Sequence, residues 1–219
     1  MKNETMIHIG SVMMLLLIGV YVLSCEKDSP TQPKPTFYEI QGSKGFVGKV
    51  DGTNAFISLL VGSHEGVVYV CNGDEEIAEW FREDITDQKN INLANSAGAQ
   101  ITAQFKGESF EGNVTLSNDN TYSFSAVPIT TEIGGIYRVH GEEAERDEIK
   151  AGWILDSDGD ERGSLRIGTT FQTNNTLIKT VLNSSTKTAT FSGKSYPVWR
   201  YYLLPKADSV VARFAPLAP

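Results

Sequence analysis

Apolar and polar residues alternate over the middle of the chain in the pattern of half-buried β-strands. Two runs of same-parity apolar residues flank Ser117–Asn120: Phe110, Val114 and Leu116, then Tyr122, Phe124 and Ala126. A period of two places successive side chains on opposite faces of a strand. Asn118 and Asp119 lie between the runs, and both residue types tolerate the positive φ of tight hairpin turns. The pattern therefore predicts a β-hairpin.

Further hairpins are predicted on either side of this one. Residues 101–105 lead through Lys106-Gly107-Glu108 into the strand that contains Phe110, and Trp153–Leu155 leads through residues 156–161 into Leu165–Ile167. Near the end of the chain, the short apolar runs Thr188–Phe191 and Tyr196–Trp199 flank a turn at Ser192–Ser195. Each pair has the turn residues and spacing of antiparallel neighbours.

Other segments are apolar at both parities. Ala55–Val61, Val67–Cys71 and Tyr196–Leu204 have this composition, and the first two are joined by residues 62–66. Short continuous apolar runs are typical of strands that are buried on both faces.

Helical patterns are scarce. Within Asp74–Ile85, the apolar residues Ile77, Trp80, Phe81 and Ile85 fit one amphipathic helix with Asp74 near its N-cap. Ala78–Phe81 fits a strand as well. The charged stretch Glu142–Lys150 is expected to be a short helix or a loop.

These elements predict a mainly β fold, an antiparallel β-meander with at most one or two short helices. An open flat sheet would leave its edges unpaired, so we expect the meander to close into a barrel or to pack as a sandwich.

The N-terminus has the organisation of a targeting segment. A short polar start precedes an apolar run from Ile9 to Leu23, which is shorter than the roughly 20 residues of a membrane-spanning helix. The run ends in Val22-Leu23-Ser24-Cys25, and this sequence resembles the lipobox of bacterial lipoproteins. The resemblance implies cleavage before Cys25, a diacylglycerol thioether on its sulfur and acylation of the new amino group. Buried acyl chains would then anchor the mature protein.

The resemblance divides the chain into a signal peptide (1–24), a lipid-anchored tether (25–36) and a globular domain (37–219), with a sub-boundary near 141–150. The tether is rich in proline and lacks large apolar residues. The resemblance also implies a cell-envelope location facing the periplasm or the exterior. Glu26 is not the aspartate that marks inner-membrane retention in enteric bacteria, which favours the outer membrane where one exists.

Composition narrows the choice of partner. The chain has 19 Lys and Arg against 27 Asp and Glu, a net charge of −8. No cationic surplus is present to neutralise phosphates, so nucleic acid is not expected as a partner. The membrane, through the anchor, and an envelope protein or small ligand are the expected partners.

Candidate chemical groups are few behind the anchor. Cys71 lies in an apolar run and is expected to be a buried core thiol. His64 and His140 lack the short spacing of metal-binding pairs, and His64 is expected to be solvated in a turn. The Asp156–Glu161 segment has alternating carboxylates like the start of a calcium loop, but Gly159 precedes the third aspartate and Ile167 occupies the twelfth position, which requires glutamate. A hairpin turn needs the same residue types, so we assign no metal ligand.

Two further groups have ordinary structural explanations. The acidic run Glu142–Glu148 is expected to be a solvated face. Trp199, Tyr201 and Tyr202 are residue types found in sugar-stacking platforms, but strand alternation separates Tyr202 from the other two, and core packing accounts for them.

No nucleophile–base pair, phosphate loop or dinucleotide motif occurs, so we assign no catalytic residue and no cofactor. We expect a non-enzymatic, lipid-anchored envelope protein with a binding or structural β-domain. One version is a barrel that resembles lipocalins in the number and order of strands and holds an apolar ligand inside. The alternatives are an envelope hydrolase using a carboxylate pair and a calcium-stabilised adhesion or assembly module.

Overall fold

The computed structural model describes residues 44–139, 141–172, 176–201 and 214–216. The predicted signal peptide, Cys25, the tether, His140 and Tyr202 lie outside the described residues.

The first sheet is an eight-stranded antiparallel meander in the order β4-β3-β2-β1-β8-β7-β6-β5. Its strands are β1 Lys44–Val50, β2 Phe56–Val61, β3 Glu65–Asn72, β4 Ile77–Asp84, β5 Asn90–Ala94, β6 Gln100–Lys106, β7 Ser109–Thr115 and β8 Thr121–Pro128. Pairing of the last strand with the first curls the sheet on itself and brings its two ends, β4 and β5, next to each other. The result is a nearly closed barrel.

The second sheet has seven antiparallel strands, with the main order β12-β11-β10-β9-β14-β13 and β15 paired with β14. They are β9 Gly135–Val139, β10 Ile149–Leu155, β11 Glu161–Ile167, β12 Thr170–Gln172, β13 Thr188–Phe191, β14 Lys194–Tyr201 and β15 Phe214–Pro216. Two short helices join them, α1 Glu142–Arg146 and α2 Ile178–Asn183. The prediction of a mainly β, antiparallel fold with at most one or two short helices is confirmed.

The predicted hairpins are confirmed. β6–β7, β7–β8, β10–β11 and β13–β14 pair as the alternation indicated. Asp119, in the turn before β8, has a positive φ of 65°. The two-sided burial predicted for β2 and β3 is also confirmed, since both strands are buried along nearly their whole length.

The helix predicted over Asp74–Ile85 is wrong, and the strand alternative is correct. A 3-10 turn, Gly73–Glu75, is followed by β4, which pairs with β3 along all eight of its residues. The side chain of Asn72, rather than of Asp74, caps the turn by accepting the N–H of Asp74 at 3.2 Å.

A spacing of four residues caused this error, because it fits both the helical period and the strand period. Ile77, Phe81 and Ile85 all face the barrel interior, while Trp80 has the opposite parity and packs toward the second sheet. The apolar positions that mimic a helix are therefore the two faces of one strand.

The barrel interior is filled by a continuous apolar cluster. Its fully buried members include Ile57, Leu59, Phe81, Ile101 and Phe110, and Phe46 packs edge-on against Phe110 with ring centroids 4.9 Å apart. This packing removes the basis for a ligand inside the barrel, as in the lipocalin-like version of the hypothesis.

Glycines allow the sheet to curl this tightly. Gly48 of β1 and Gly112 of β7 occupy inward positions, where a Cβ would collide with the carbonyl oxygens of Ser125 and Thr102 on the neighbouring strands. Strands can approach this closely only where no side chain intervenes.

The two sheets pack face to face through a second apolar cluster. Phe56, Leu60 and Tyr69 of the barrel's outer face meet Ile154 and Tyr201 of the second sheet. The opposite face of the second sheet packs on a third apolar cluster, which contains Trp153 together with Ile178 and Val181 of helix α2.

The chain passes from the first sheet to the second between Pro128 and Gly135. The 141–150 segment, where the sequence suggested a sub-boundary, holds α1 and the start of β10 inside the second sheet.

Across the part of the chain that is described, no helix is both long enough and apolar enough to cross a membrane.

Candidate functional site

Cys71 is a core thiol, as predicted. Its side chain is fully buried between the sheets, and its Sγ donates to the carbonyl oxygen of Arg162 at 3.4 Å. Burial raises the pKa of the Cys71 thiol, which keeps it protonated and unreactive. His64 lies exposed in the bend between β2 and β3, also as predicted.

The Asp156–Glu161 segment is the hairpin turn between β10 and β11. Asp156 Oδ1 accepts the backbone N–H groups of Asp158 at 3.0 Å and Asp160 at 2.7 Å, and Gly159 has a φ of 85°. The first carboxylate of the calcium-like pattern therefore stabilises the turn. The described residues include no cluster of three or more His, Cys, Asp or Glu side chains that could hold a metal ion.

Glu161 is the one carboxylate that is buried among the described residues. Its Oε2 accepts the N–H of Lys179 at 2.8 Å, near the start of α2, and burial raises the pKa of the Glu161 carboxyl. This carboxylate satisfies a helix N–H group. The described residues thus supply no second buried carboxylate for the pair that the hydrolase hypothesis requires.

The acidic run forms α1, with Ala144 buried and the glutamates exposed. Asp147 accepts from Lys194 Nζ at 2.9 Å and from the Tyr196 hydroxyl at 2.8 Å, and the bond from Lys194 is the main cause of the lowered pKa of Asp147. Tyr201 is buried near Trp80, with ring centroids 6.0 Å apart, which confirms core packing for this aromatic residue.

The strongest candidate for a functional site is a cleft made of two adjoining cavities, which we name the inter-sheet cleft. The first cavity, of about 490 Å³, lies between the barrel and the second sheet and is lined by Tyr69, Trp80 and Gly152, among others. The second, of about 630 Å³, lies beside α1 and includes Glu145 and Glu148 in its lining. Volumes of this size suit small ligands.

Three cationic side chains line both cavities: Arg138 of β9, Lys150 of β10 and Arg166 of β11. Lys150 lies directly opposite Arg166 in the β10–β11 register, while Arg138 is opposite Gly152, two residues along β10 from Lys150. The three side chains consequently form a row across three neighbouring strands, and we name them the cationic row.

The register of this row is unfavourable for stability, since like charges directly opposite each other on a sheet destabilise it. Neither Lys150 nor Arg166 forms an ion pair with a described residue. The Nε atom of Arg166 is also buried without a hydrogen-bond partner in the described part of the chain. Residues retained at a cost to the fold are candidates for binding.

The guanidinium groups of Arg138 and Arg166 each pack against an aromatic ring. The guanidinium carbon of Arg138 lies 5.7 Å from the centre of the Trp80 ring, and that of Arg166 lies 5.9 Å from the centre of the Phe171 ring. Trp80 is stacked on Tyr69 with centroids 4.0 Å apart, which fixes its position. Burial lowers the pKa of the Arg138 guanidinium, but arginine remains protonated in proteins. Cation–π contacts orient the charge without neutralising it.

Carboxylates lie in one cavity or the other, and none is shared by both. Glu76 and Glu79 line the first cavity, and Glu145 and Glu148 line the second. Glu79 accepts from the side-chain amide of Asn95 at 2.8 Å and so is held by a neutral donor. Positive charge is therefore central in the cleft, with negative charge to either side.

A second concave surface lies on the outer face of β5–β8. It encloses about 730 Å³ and is lined mainly by neutral polar side chains such as Asn92, Thr102 and Asn113. Its charged pair, Lys106 and Glu111, is already joined at 2.9 Å. Nothing on this surface concentrates charge or aromatic area, so the inter-sheet cleft is the stronger site.

Sequence reasoning did not identify the cationic row. Its members are far apart in the chain and only the sheet register brings them together. The predicted β10–β11 hairpin contained part of the signal, because extending its pairing places Lys150 opposite Arg166.

Comparison with known proteins found no matching protein family, curated protein or solved structure.

Proposed function

We propose that this protein is a lipid-anchored cell-envelope protein whose β-domain is a non-enzymatic binding module. In this proposal Cys25 carries the lipid, the domain faces the periplasm or the exterior, and the inter-sheet cleft receives a negatively charged group of the ligand. The lipobox-like Val22–Cys25 supports the anchor, and the cationic row supports the binding site.

The observation that carries the binding proposal is the register of Lys150 and Arg166. In a chain of net charge −8, two cations lie opposite each other, line two cavities and lack an ion pair among the described residues. An anionic ligand would relieve their repulsion and form charge-assisted hydrogen bonds, which are stronger than neutral ones. Binding should therefore weaken as salt concentration rises.

A charge reversal in the cleft tests this binding. The full chain would be extracted from its own membranes in detergent and examined for small-molecule adducts by native mass spectrometry. We expect an anionic adduct on the wild-type chain and its loss from Lys150→Glu. Because glutamate opposite Arg166 forms an attractive pair, the sheet should remain folded.

The matched control is Lys44→Glu, which makes the same change in net charge at an exposed position of β1, away from the cleft. This variant should keep the adduct. An adduct that persists in Lys150→Glu, or a wild-type chain that carries none, would contradict the proposal.

The anchor has a separate test. Replacing Cys25 with serine removes the thiol that forms the thioether, so incorporation of a fatty-acid probe should cease and the precursor should remain unprocessed. Continued labelling of Cys25→Ser would show that the anchor assignment is mistaken.

A further inference from the structure

The second cavity of the cleft holds opposite charges apart. Lys150 and Arg166 enter it from strands β10 and β11, whereas Glu145 comes from α1 and Glu148 from the turn that follows. Arg138 and Glu145 interact electrostatically, but Lys150, Arg166 and Glu148 form no ion pair with one another. The side chains of Lys150, Glu145 and Glu148 are exposed and that of Arg166 is half-buried. The like charges are adjacent, and the opposite charges face a shared space that is open to a ligand.

Glu148 has an unfavourable backbone conformation for its residue type. Its φ is 54°, in the left-handed region that glycine favours at the end of a helix. Its N–H donates to the carbonyl oxygen of Glu145 and its own carbonyl accepts from Gly168, both at 3.1 Å, so the backbone is held from both sides. The fold requires this turn but does not require a glutamate in it.

We infer that the second cavity binds a small zwitterion, with a phosphate group against Arg138, Lys150 and Arg166 and a protonated amine facing Glu145 and Glu148. This inference rests on the proposed function and adds the class of ligand. It explains why a residue at a glycine-type position carries a carboxylate, and why two cations share one register position.

Phosphate fits the cationic row better than carboxylate does. Guanidinium groups bind the oxygens of both, but a phosphate monoester carries about −1.5 to −2 charge near neutral pH against −1 for a carboxylate. Three cations, one of them offset by Glu145, match the larger charge. The same pair of groups occurs in a soluble amine-bearing phosphate monoester and in a lipid headgroup. The phosphodiester of a headgroup carries a charge of −1, so the charge match favours the monoester.

Matched probes separate the two halves of the ligand. Isothermal titration of the full chain in detergent would compare O-phosphoethanolamine with ethyl phosphate, which lacks the amine, and with ethanolamine, which lacks the phosphate. We expect O-phosphoethanolamine to bind about tenfold or more tightly than ethyl phosphate, equivalent to about 1.4 kcal/mol, and ethanolamine to bind weakest. β-Alanine, with carboxylate in place of phosphate, should bind more weakly than O-phosphoethanolamine.

Variants assign each half to its residues. Arg166→Gln should weaken binding of both phosphate probes. Glu148→Gln removes one of the two carboxylates that face the amine, so it should reduce the preference for the amine without weakening ethyl phosphate binding. Glu143→Gln, on the adjacent helix α1 but outside the lining of the cavity, is the control and should keep the preference. Glu148→Gly should reduce the preference in the same way while its urea midpoint rises, because glycine suits the left-handed conformation.

Short-chain lipids distinguish the source of the ligand. If the ligand is a lipid headgroup, dihexanoyl phosphatidylethanolamine should displace bound O-phosphoethanolamine better than dihexanoyl phosphatidylglycerol does. The second lipid has the same phosphodiester without the amine. If it is a soluble monoester, O-phosphoethanolamine should bind more tightly than either lipid. Both results support the zwitterion.

Other results would overturn it. Equal affinity for ethyl phosphate and O-phosphoethanolamine would remove the amine from the proposal while leaving the anionic ligand of the proposed function intact. Equal affinity for β-alanine and O-phosphoethanolamine would show that the site does not prefer phosphate to carboxylate. Failure of all these probes to bind, while the wild-type chain still carries an adduct that Lys150→Glu lacks, would refute the zwitterion alone.

Discussion

A buried hydroxyl contributes to the contact between the two sheets, and one substitution, Tyr69→Phe, removes it. The Tyr69 hydroxyl lies 2.8 Å from Ser164 Oγ and donates to the carbonyl oxygen of Gly152 at 3.4 Å. Both Tyr69 and Ser164 are 1% exposed although they line the first cavity of the inter-sheet cleft, so the groups left behind regain little solvation. Burial raises the pKa of Tyr69, so its hydroxyl stays protonated at neutral pH.

The magnitude follows from what the substitution leaves behind. Losing a neutral hydrogen bond costs about 0.5–1.5 kcal/mol, and a buried polar group left without a partner costs about 1–3 kcal/mol. We therefore expect Tyr69→Phe to lower the free energy of unfolding by about 1–3 kcal/mol. The double variant Tyr69→Phe/Ser164→Ala removes both partners, so it should be more stable than the sum of the single variants predicts, by about 1 kcal/mol.

Urea unfolding of the full chain in detergent, followed by tryptophan fluorescence and by circular dichroism, measures these free energies, provided that both probes give coincident transitions. Tyr122→Phe is the matched control, because Tyr122 is half-buried against the barrel cluster and its hydroxyl forms no hydrogen bond with a described residue. The control should change stability by less than about 0.5 kcal/mol. A Tyr69→Phe variant as stable as the control, or a double variant that equals the sum, would refute the reasoning.

Three further predictions follow from burial and backbone geometry. In the Cys25→Ser chain, a thiol reagent such as DTNB should modify Cys71 only at the rate at which the two sheets separate, and rapid native modification would contradict its burial. Burial raises the pKa of Glu161 in the folded protein, so the folded state binds this proton more tightly than the unfolded state does. The resulting contribution to stability is complete below the ordinary pKa of 4.5 and is lost as pH rises through the raised pKa. The stability advantage of Glu161→Gln over the wild-type chain should therefore be largest at neutral pH. Denaturation curves from pH 4 to 7 should show this advantage shrinking as pH falls. Gly48→Ala should destabilise far more than Gly107→Ala, since the first would place a Cβ against a neighbouring carbonyl and the second carries only the strain of a φ of 70°; equal urea midpoints would exclude the proposed cause of barrel curvature.

Local alternation was sufficient to predict the hairpins, because each one joins neighbouring segments through a turn with its own chemistry. The β7–β8 pairing was visible from residue parity and from Asn118-Asp119 alone. Closure of the barrel was harder to predict from the sequence, because β1 and β8 pair although most of the first sheet's sequence lies between them. No local pattern encodes that contact; the inward glycines that permit the curvature look in sequence like ordinary strand breakers.

The helix prediction over β4 failed for a related reason. Its apolar residues were read as one face, although Phe81 and Trp80 lie on opposite faces of a strand that has apolar surroundings on both sides. Such two-sided burial comes from the second sheet, which is distant in sequence. The cationic row was missed because Arg138 reaches Lys150 only through the β9–β10 pairing, with helix α1 between the strands.

The departures from local preference nevertheless converge on one place. Among the described residues, five non-glycine residues have a positive φ; Asp119 and Ser192 lie in hairpin turns, and Lys187 precedes β13. The other two are Glu76 and Glu148, and each lines one cavity of the inter-sheet cleft. Unfavourable conformations persist where the surrounding structure enforces them, and they cluster at functional sites. Because the opposed cations Lys150 and Arg166 lie between these two glutamates in the cleft lining, three independent costs to the fold meet at the same surface. Stability alone would favour glycine at both turns and an ion pair across the strands; the charged ligand proposed for the second cavity would account for the opposed cations and for Glu148.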